Sequence, residues 1–269
     1  FRRVLFRSVL SSTDFAAALD AVGVDRDQRQ MAETAFDDAQ DRMFAAVRTF
    51  EDACRRADGT PSSVADVAHA RRVQVQELLG DVDSLFQQVS VVLRAEQHEP
   101  LDRERLAAKR RIMRAVLNEM DAGTAFGFDL EAEVAKSGAT AAEKAVAFRA
   151  LGPYRQRLAA LMRQSIDRTA ARQVKRERDD KRAARTNGAA VADGGVGNLR
   201  SFMEGQQEGR GDVAAVTRDA LKALEGTLPA AELEKVRRTA LQRTWFRTGM
   251  DRYSPRRTFD ALLAGKVPE

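Results

Sequence analysis

The sequence contains few of the residues that build disulfide-linked, aromatic-rich or membrane-spanning proteins. Its single cysteine, Cys54, excludes a disulfide within the chain and a cysteine-rich zinc site. Aromatic residues make up 6% of the 269 residues and there are 6 prolines, whereas alanine, arginine, glutamate and leucine, all good helix formers, are frequent. No apolar run reaches the length of about 18 residues that a membrane span needs. The composition therefore predicts an all-α fold, with no membrane span in the part of the protein that this sequence covers.

A strong charge of one sign is also lacking. Residues 1–8 match the translation of a widely used sequencing adapter, so we expect the natural chain to begin near Val9 and its own N-terminus to be missing. Without Arg2, Arg3 and Arg7 the formal net charge falls from +5 to +2. Because a balanced surface produces little long-range field, this composition argues against nucleic acid as a partner.

Glycine distribution divides the chain into three predicted regions. We predict a helical bundle over 13–185, a flexible glycine-rich linker over 186–211 and a small helical unit over 212–269. The last residues form no polar tail, which leaves open whether the C-terminal unit is truncated.

Apolar residues spaced three and four apart predict two long helices. The first follows a capping box over Asp25-Arg26-Asp27-Gln28, and its apolar positions are Ala32, Phe36, Ala39, Met43, Ala46, Phe50 and Ala53. The second carries Val75, Leu78, Val82, Leu85, Val89 and Val92, with Phe86 beside them. Two such helices joined by a short turn predict an antiparallel hairpin, and Gly80 leaves open whether the second is one helix or two. A further capping box is predicted at Thr140 and Glu143.

Two segments, 24–28 and 93–97, share the form apolar-x-x-x-Gln beside a long helix. This form resembles the Leu-Thr-x-x-Gln motif, which occurs twice in the periplasmic helical stress proteins of the Spy and CpxP type. Asp25 stands at the threonine position of the first copy and Arg94 at that of the second. The resemblance covers about residues 13–120.

The resemblance implies an α-helical hairpin that acts as an ATP-independent chaperone or envelope-stress sensor, and it favours export to the periplasm. In this interpretation Asp25, Gln28 and Gln97 hold the helix geometry. An unfolded client or another protein partner would contact apolar candidates, namely Phe36, Met43, Phe50 and Phe86. Taken by themselves, the two motif segments, 24–28 and 93–97, also fit ordinary helix starts.

The most basic stretch lies between Arg163 and Arg185, where nine basic residues accompany four acids. Its candidate contacts for a polyanion are Arg172, Lys175, Arg176 and Arg178. No aromatic residue is available there to stack on a base, and the acids predict pairs within the helix, such as Arg176 with Asp180. The alternative interpretation is a cytosolic coiled-coil scaffold whose basic helix contacts nucleic acid or an acidic partner. Helix faces of this kind also fit a homo-oligomer.

Motifs for catalysis and cofactor binding are lacking. His69 and His98 lie 29 residues apart, whereas a metal site needs three or four converging ligands. The sequence contains neither a phosphate-binding glycine loop before a lysine nor a nucleophile elbow. We therefore predict a protein that is not an enzyme and uses no cofactor or metal.

Overall fold

The computed structural model describes residues 9–55, 62–120, 126–186 and 211–245, and within these ranges the chain is all-α without a strand. The predicted fold class is therefore confirmed. The helices are α1 (Ser12–Val22), α2 (Arg26–Ala53), α3 (Val64–Ser90), α4 (His98–Glu119), α5 (Leu130–Lys136), α6 (Ala141–Ala150), α7 (Gly152–Thr186), α8 (211–223) and α9 (Ala230–Trp245). A 3₁₀ turn, Ala95–Gln97, directly precedes α4.

Polar residues begin the helices where the sequence predicts them. The Asp25 carboxylate accepts from the Gln28 amide while the Gln28 side chain accepts from the Asp25 amide, and Thr140 and Glu143 make the same exchange. Both predicted capping boxes are thus present. Gly23 ends α1 at a φ of 72°, in the left-handed region that glycine enters without steric cost.

The described chain groups into two compact units. Unit one contains the described residues of 1–124 and 155–207, and unit two those of 125–154 and 208–269. This differs from a single bundle over 13–185, because segment 125–154 groups with α9. The predicted linker lies almost wholly outside the described residues, as does the predicted C-terminal unit beyond 245.

Helices α2 and α3 form the antiparallel hairpin of unit one. An ion pair between Arg42 and Asp81 at 3.2 Å and a hydrogen bond from Gln28 Nε2 to the Val92 carbonyl at 2.9 Å mark its register. Gly80 lies inside α3, which continues through it as one helix. The apolar faces are buried between the helices, with Ala32, Phe36, Ala39, Met43, Ala46 and Phe50 from α2 and Val75, Leu78, Val82, Leu85 and Val89 from α3.

Three further helices complete the core of unit one. Phe15 of α1 stacks on Phe36 with ring centroids 4.6 Å apart and meets Phe86 edge-on at 6.2 Å. Helix α4 packs on α1 and α3. It buries Leu101, Ala108, Ile112, Met113, Val116 and Leu117. Helix α7 buries Leu158, Met162, Ile166 and Ala170.

Unit two is built from α5, α6, α8, α9 and the first residues of α7. The Tyr154 hydroxyl accepts from the Leu130 amide at 3.3 Å, and the Glu232 carboxylate accepts from the Gly138 amide at 2.7 Å. The second bond joins the start of α9 to the turn after α5. Buried apolar side chains include Val134, Ala147, Leu151, Val213, Leu224, Val236 and Ala240.

Candidate functional site

The side chains of Gln28 and Gln97 meet between the start of α2 and the turn before α4. Gln28 Nε2 donates to Gln97 Oε1 at 3.0 Å, and Gln97 Nε2 donates to Gln28 Oε1 at 3.2 Å. Each amide nitrogen also donates to the backbone of the other segment. Gln28 reaches the Val92 carbonyl and Gln97 reaches the Gly23 carbonyl, both at 2.9 Å. We call this arrangement the glutamine clasp.

The clasp leaves neither side-chain amide short of a hydrogen bond. The Gln28 oxygen also accepts from the Asp25 amide at 3.0 Å, and the Gln97 oxygen from the Arg94 amide at 2.8 Å. Each glutamine therefore donates two bonds and accepts two, the full capacity of a primary amide. Since the residues are only 7% and 6% exposed, these bonds satisfy polar groups that would otherwise be costly to bury.

The structure thus brings together Asp25, Gln28 and Gln97, the three residues singled out from the repeated motif. Arg94 Nη2 also pairs with Asp25 Oδ2 at 2.9 Å, but both side chains are exposed, so this ion pair adds at most about 1 kcal/mol. A guanidinium only donates hydrogen bonds. Arg94 therefore cannot cap the second segment as a threonine would, and the Gln97 side chain alone engages the backbone there.

Gln97→Ala is expected to lower the free energy of unfolding by about 1–3 kcal/mol, because it deprives Gly23, Gln28 and Arg94 of buried hydrogen-bond partners. Urea unfolding followed by circular dichroism measures the change. Gln88→Ala on the exposed side of α3 is the matched control and should stay within about 0.5 kcal/mol of the parent protein. Equal effects of the two substitutions would show that the clasp adds no stability.

The four apolar candidates for client contact are buried in this conformation. Phe36 and Phe50 are each 4% exposed, Phe86 is 2% exposed and Met43 is fully buried. They lie on the apolar sides of α2 and α3, which face the interior. There Phe36 packs on Phe15, and the Arg71 guanidinium lies 3.9 Å from the Phe50 ring centroid. They therefore form core and offer no surface for a client here, which corrects the expectation from the sequence.

Large apolar side chains that are exposed occur elsewhere. Within the described ranges they are Met31, Val73, Val91 and Val146. The two most exposed, Met31 at 58% and Val91 at 81%, lie near the clasp in the chain. Met31 follows Gln28 by less than one helical turn, and Val91 adjoins Val92, whose carbonyl accepts from Gln28. The clasped end of the hairpin therefore carries exposed apolar groups.

The polyanion candidates lie on the second half of α7. Lys175 and Arg178 are exposed, whereas Arg172 and Arg176 are half-buried. Lys181 pairs with Glu177 at 2.8 Å, an i,i+4 pair of the predicted kind. That hydrogen bond, together with a weaker contribution from the Val64 amide of α3, lowers the pKa of the Glu177 carboxyl. The expected partner of Arg176, the Asp180 side chain, lies outside the described part of the structure.

A buried polar cluster at the other end of the hairpin was not predicted from the sequence. Arg71 Nη1 donates to Glu119 Oε2 at 2.7 Å and to Gln74 Oε1 at 2.9 Å, joining α3 to the end of α4. Burial raises the pKa of Glu119 more than the Arg71 charge lowers it, and burial lowers the pKa of Arg71. Burial also raises the pKa of the nearby Cys54 thiol, against the opposing effect of Arg71, so this thiol is not activated as a nucleophile.

The described ranges contain no group of three or more histidine, cysteine or acidic side chains placed to hold a metal ion. Nor is any helix in those ranges both long and apolar enough to span a bilayer. No protein-family model, no curated protein and no solved structure matches the chain.

Proposed function

We propose that this chain is a non-enzymatic helical protein that binds unfolded or partner polypeptides, as a chaperone or stress sensor of the bacterial envelope. The observation that carries the proposal is the glutamine clasp. It joins the two segments that resemble the repeated Leu-Thr-x-x-Gln motif, through two hydrogen bonds between the glutamine side chains themselves. A hairpin fixed in this way is preorganised, which lowers the entropic cost of binding a polypeptide.

The surface proposed for client contact is the clasped end of the hairpin. Because Phe36, Met43 and Phe50 are buried, binding in this conformation falls to exposed side chains. Met31 and Val91 supply the apolar contact there, and the exposed charged residues Arg26 and Asp27 lie one helical turn before Met31. Exposed apolar groups with polar neighbours are typical of protein-binding surfaces.

The direct test is suppression of aggregation. A chemically unfolded client is diluted into buffer with increasing amounts of the full chain, and light scattering is followed with time. Suppression at near-stoichiometric amounts and without ATP is the expected result. Unchanged scattering at a severalfold molar excess of the chain would refute the proposal.

Met31→Ser combined with Val91→Ser should weaken client binding. Loss of about 1–2 kcal/mol of apolar contact corresponds to a factor of roughly 5–30 in the amount of protein needed for half-maximal suppression. The matched control is Val73→Ser combined with Val146→Ser, which removes exposed valines elsewhere and should leave suppression unchanged. Equal losses in the two double variants would remove the clasped end as the binding surface.

A further inference from the structure

The outward side of α2 carries a concentration of negative charge. Glu33, Asp37, Asp38 and Asp41 are all exposed. Glu33 and Asp37, and likewise Asp37 and Asp41, are spaced four apart, so these like charges are neighbours on the helix surface and repel. None of the four makes an ion pair or a side-chain hydrogen bond in the part of the chain that the structure describes. We call these four residues the acidic face.

The outward side of α7 carries the opposite charge. Arg163, Lys175 and Arg178 are exposed and lie within about 120° around the helix axis. The exposed Asp167 falls between them, which leaves this side net positive. None of the three bases has an ion-pair partner among the residues described, and beyond Ala170 no described side chain of α7 is buried. We call Arg163, Lys175 and Arg178 the basic face.

Each face is therefore an unpartnered helix surface, and both belong to unit one. No ion pair joins the two faces within the molecule, although other charged residues of this unit are paired, as in Arg105 and Lys109 with Asp83 or Arg111 with Asp14. The charges of the two faces are complementary. A partner that fits one face must present the charge pattern of the other.

We propose that the acidic face of one copy docks on the basic face of a second copy. Each copy carries both halves of the contact, so copies of this one chain are enough to form it. The net charge without residues 1–8 is only +2, which means that two copies repel each other weakly. This inference is independent of the proposed client binding, because it uses neither the clasp nor Met31 and Val91.

Sedimentation velocity of the full chain at two salt concentrations is the first test. At about 10 mM salt the screening length is about 30 Å, and at about 1 M it is about 3 Å. We expect a concentration-dependent dimer at low salt and a monomer at high salt. A monomer at both salt concentrations would overturn the proposal. So would a complex that forms only when a short DNA duplex is added, since this would assign the basic face to nucleic acid.

Charge reversal then tests which surfaces meet. Glu33→Lys with Asp37→Lys and Asp41→Lys changes the formal charge of the acidic face from −4 to +2, so both faces become basic, and Lys175→Glu with Arg178→Glu makes the α7 side acidic. Each variant alone is expected to dimerise at least about tenfold more weakly, because like charges then face each other across the contact. Mixing the two variants should restore dimers, since each now complements the other.

The matched control reverses an exposed pair of charges on α3, Arg72→Glu with Glu77→Lys, and should leave the dimer unchanged. Circular dichroism confirms that every variant keeps its helical content. Dimers that persist in both reversed variants, or a mixture that stays monomeric while both partners are folded, would overturn the proposal.

Discussion

Phe36→Ala is expected to lower the free energy of unfolding by about 3–5 kcal/mol. The ring is 4% exposed and stacks on Phe15 with ring centroids 4.6 Å apart. It lies on the apolar side of α2, which packs against α3. Its removal loses the transfer free energy of the ring and leaves a cavity between helices that cannot close fully around it. The stacked geometry adds a further contribution beyond the buried area. Equilibrium urea unfolding of the full chain measures the loss.

Met31→Ala on the same helix is the control, because this side chain is 58% exposed and its loss should change stability by less than about 0.5 kcal/mol. The comparison of the two variants also tests the prediction from the sequence that Phe36 contacts a client. A cost under about 0.5 kcal/mol for Phe36→Ala would mean that the ring is exposed in solution and available to a client. A large cost together with unchanged suppression of aggregation would assign Phe36 to the core alone.

The hairpin was predictable because its signals are local. The capping box at Asp25 and Gln28 involves residues three apart, and the apolar repeat of α2 lies within one helix. Both can therefore be recognised in the sequence without knowledge of the partner helix. The same apolar repeat did not indicate what covers Phe36 or Phe50. A repeat of apolar residues indicates which side of a helix is buried, but a client and a second helix of the same chain would both satisfy it.

The long-range contacts were not predictable for the same physical reason. Gln28 and Gln97 are 69 residues apart, and Arg71 and Glu119 are 48 apart, so each contact exists only because whole helices dock. Both glutamines end a segment of the form apolar-x-x-x-Gln, and this shared form identified them as motif residues. It did not indicate that their side chains bond to each other. Likewise, Gly138 and Glu232 carry no local signal that would place segment 125–154 with the C-terminal helices.

At the buried ion pair between Arg71 and Glu119, removal of one charge should lower the free energy of unfolding, whereas removal of both should restore most of it. Their side chains are 12% and 8% exposed, so both charges give up most of their hydration. The pKa of Glu119 is raised, because burial destabilises its ionised form more than the charge and hydrogen bond of Arg71 stabilise it. Such pairs are often no more stable than apolar residues of similar size, yet removal of one partner leaves an uncompensated buried charge.

Arg71→Met is therefore expected to lower the free energy of unfolding by about 3 kcal/mol at neutral pH, because the buried Glu119 carboxyl loses the charge that compensates it. The sign of the pH dependence follows from the pKa. A carboxyl whose pKa is raised in the folded state contributes most below its ordinary value of 4.5, and this contribution is lost as the pH rises through the folded value. Removal of Arg71 raises the folded pKa further, so the defect should shrink on acidification. Urea unfolding near neutral pH and near pH 5 measures both effects.

Two further variants separate the ion pair from general damage to the core. Arg71→Met combined with Glu119→Leu removes both charges and should recover most of the loss, to within about 1 kcal/mol of the parent protein or above it. Arg42→Met, at an ion pair whose arginine is 44% exposed, should cost less than about 1 kcal/mol. If the double variant is as unstable as Arg71→Met alone, the loss comes from the contact of Arg71 with Phe50 and Gln74, and not from the charge left on Glu119.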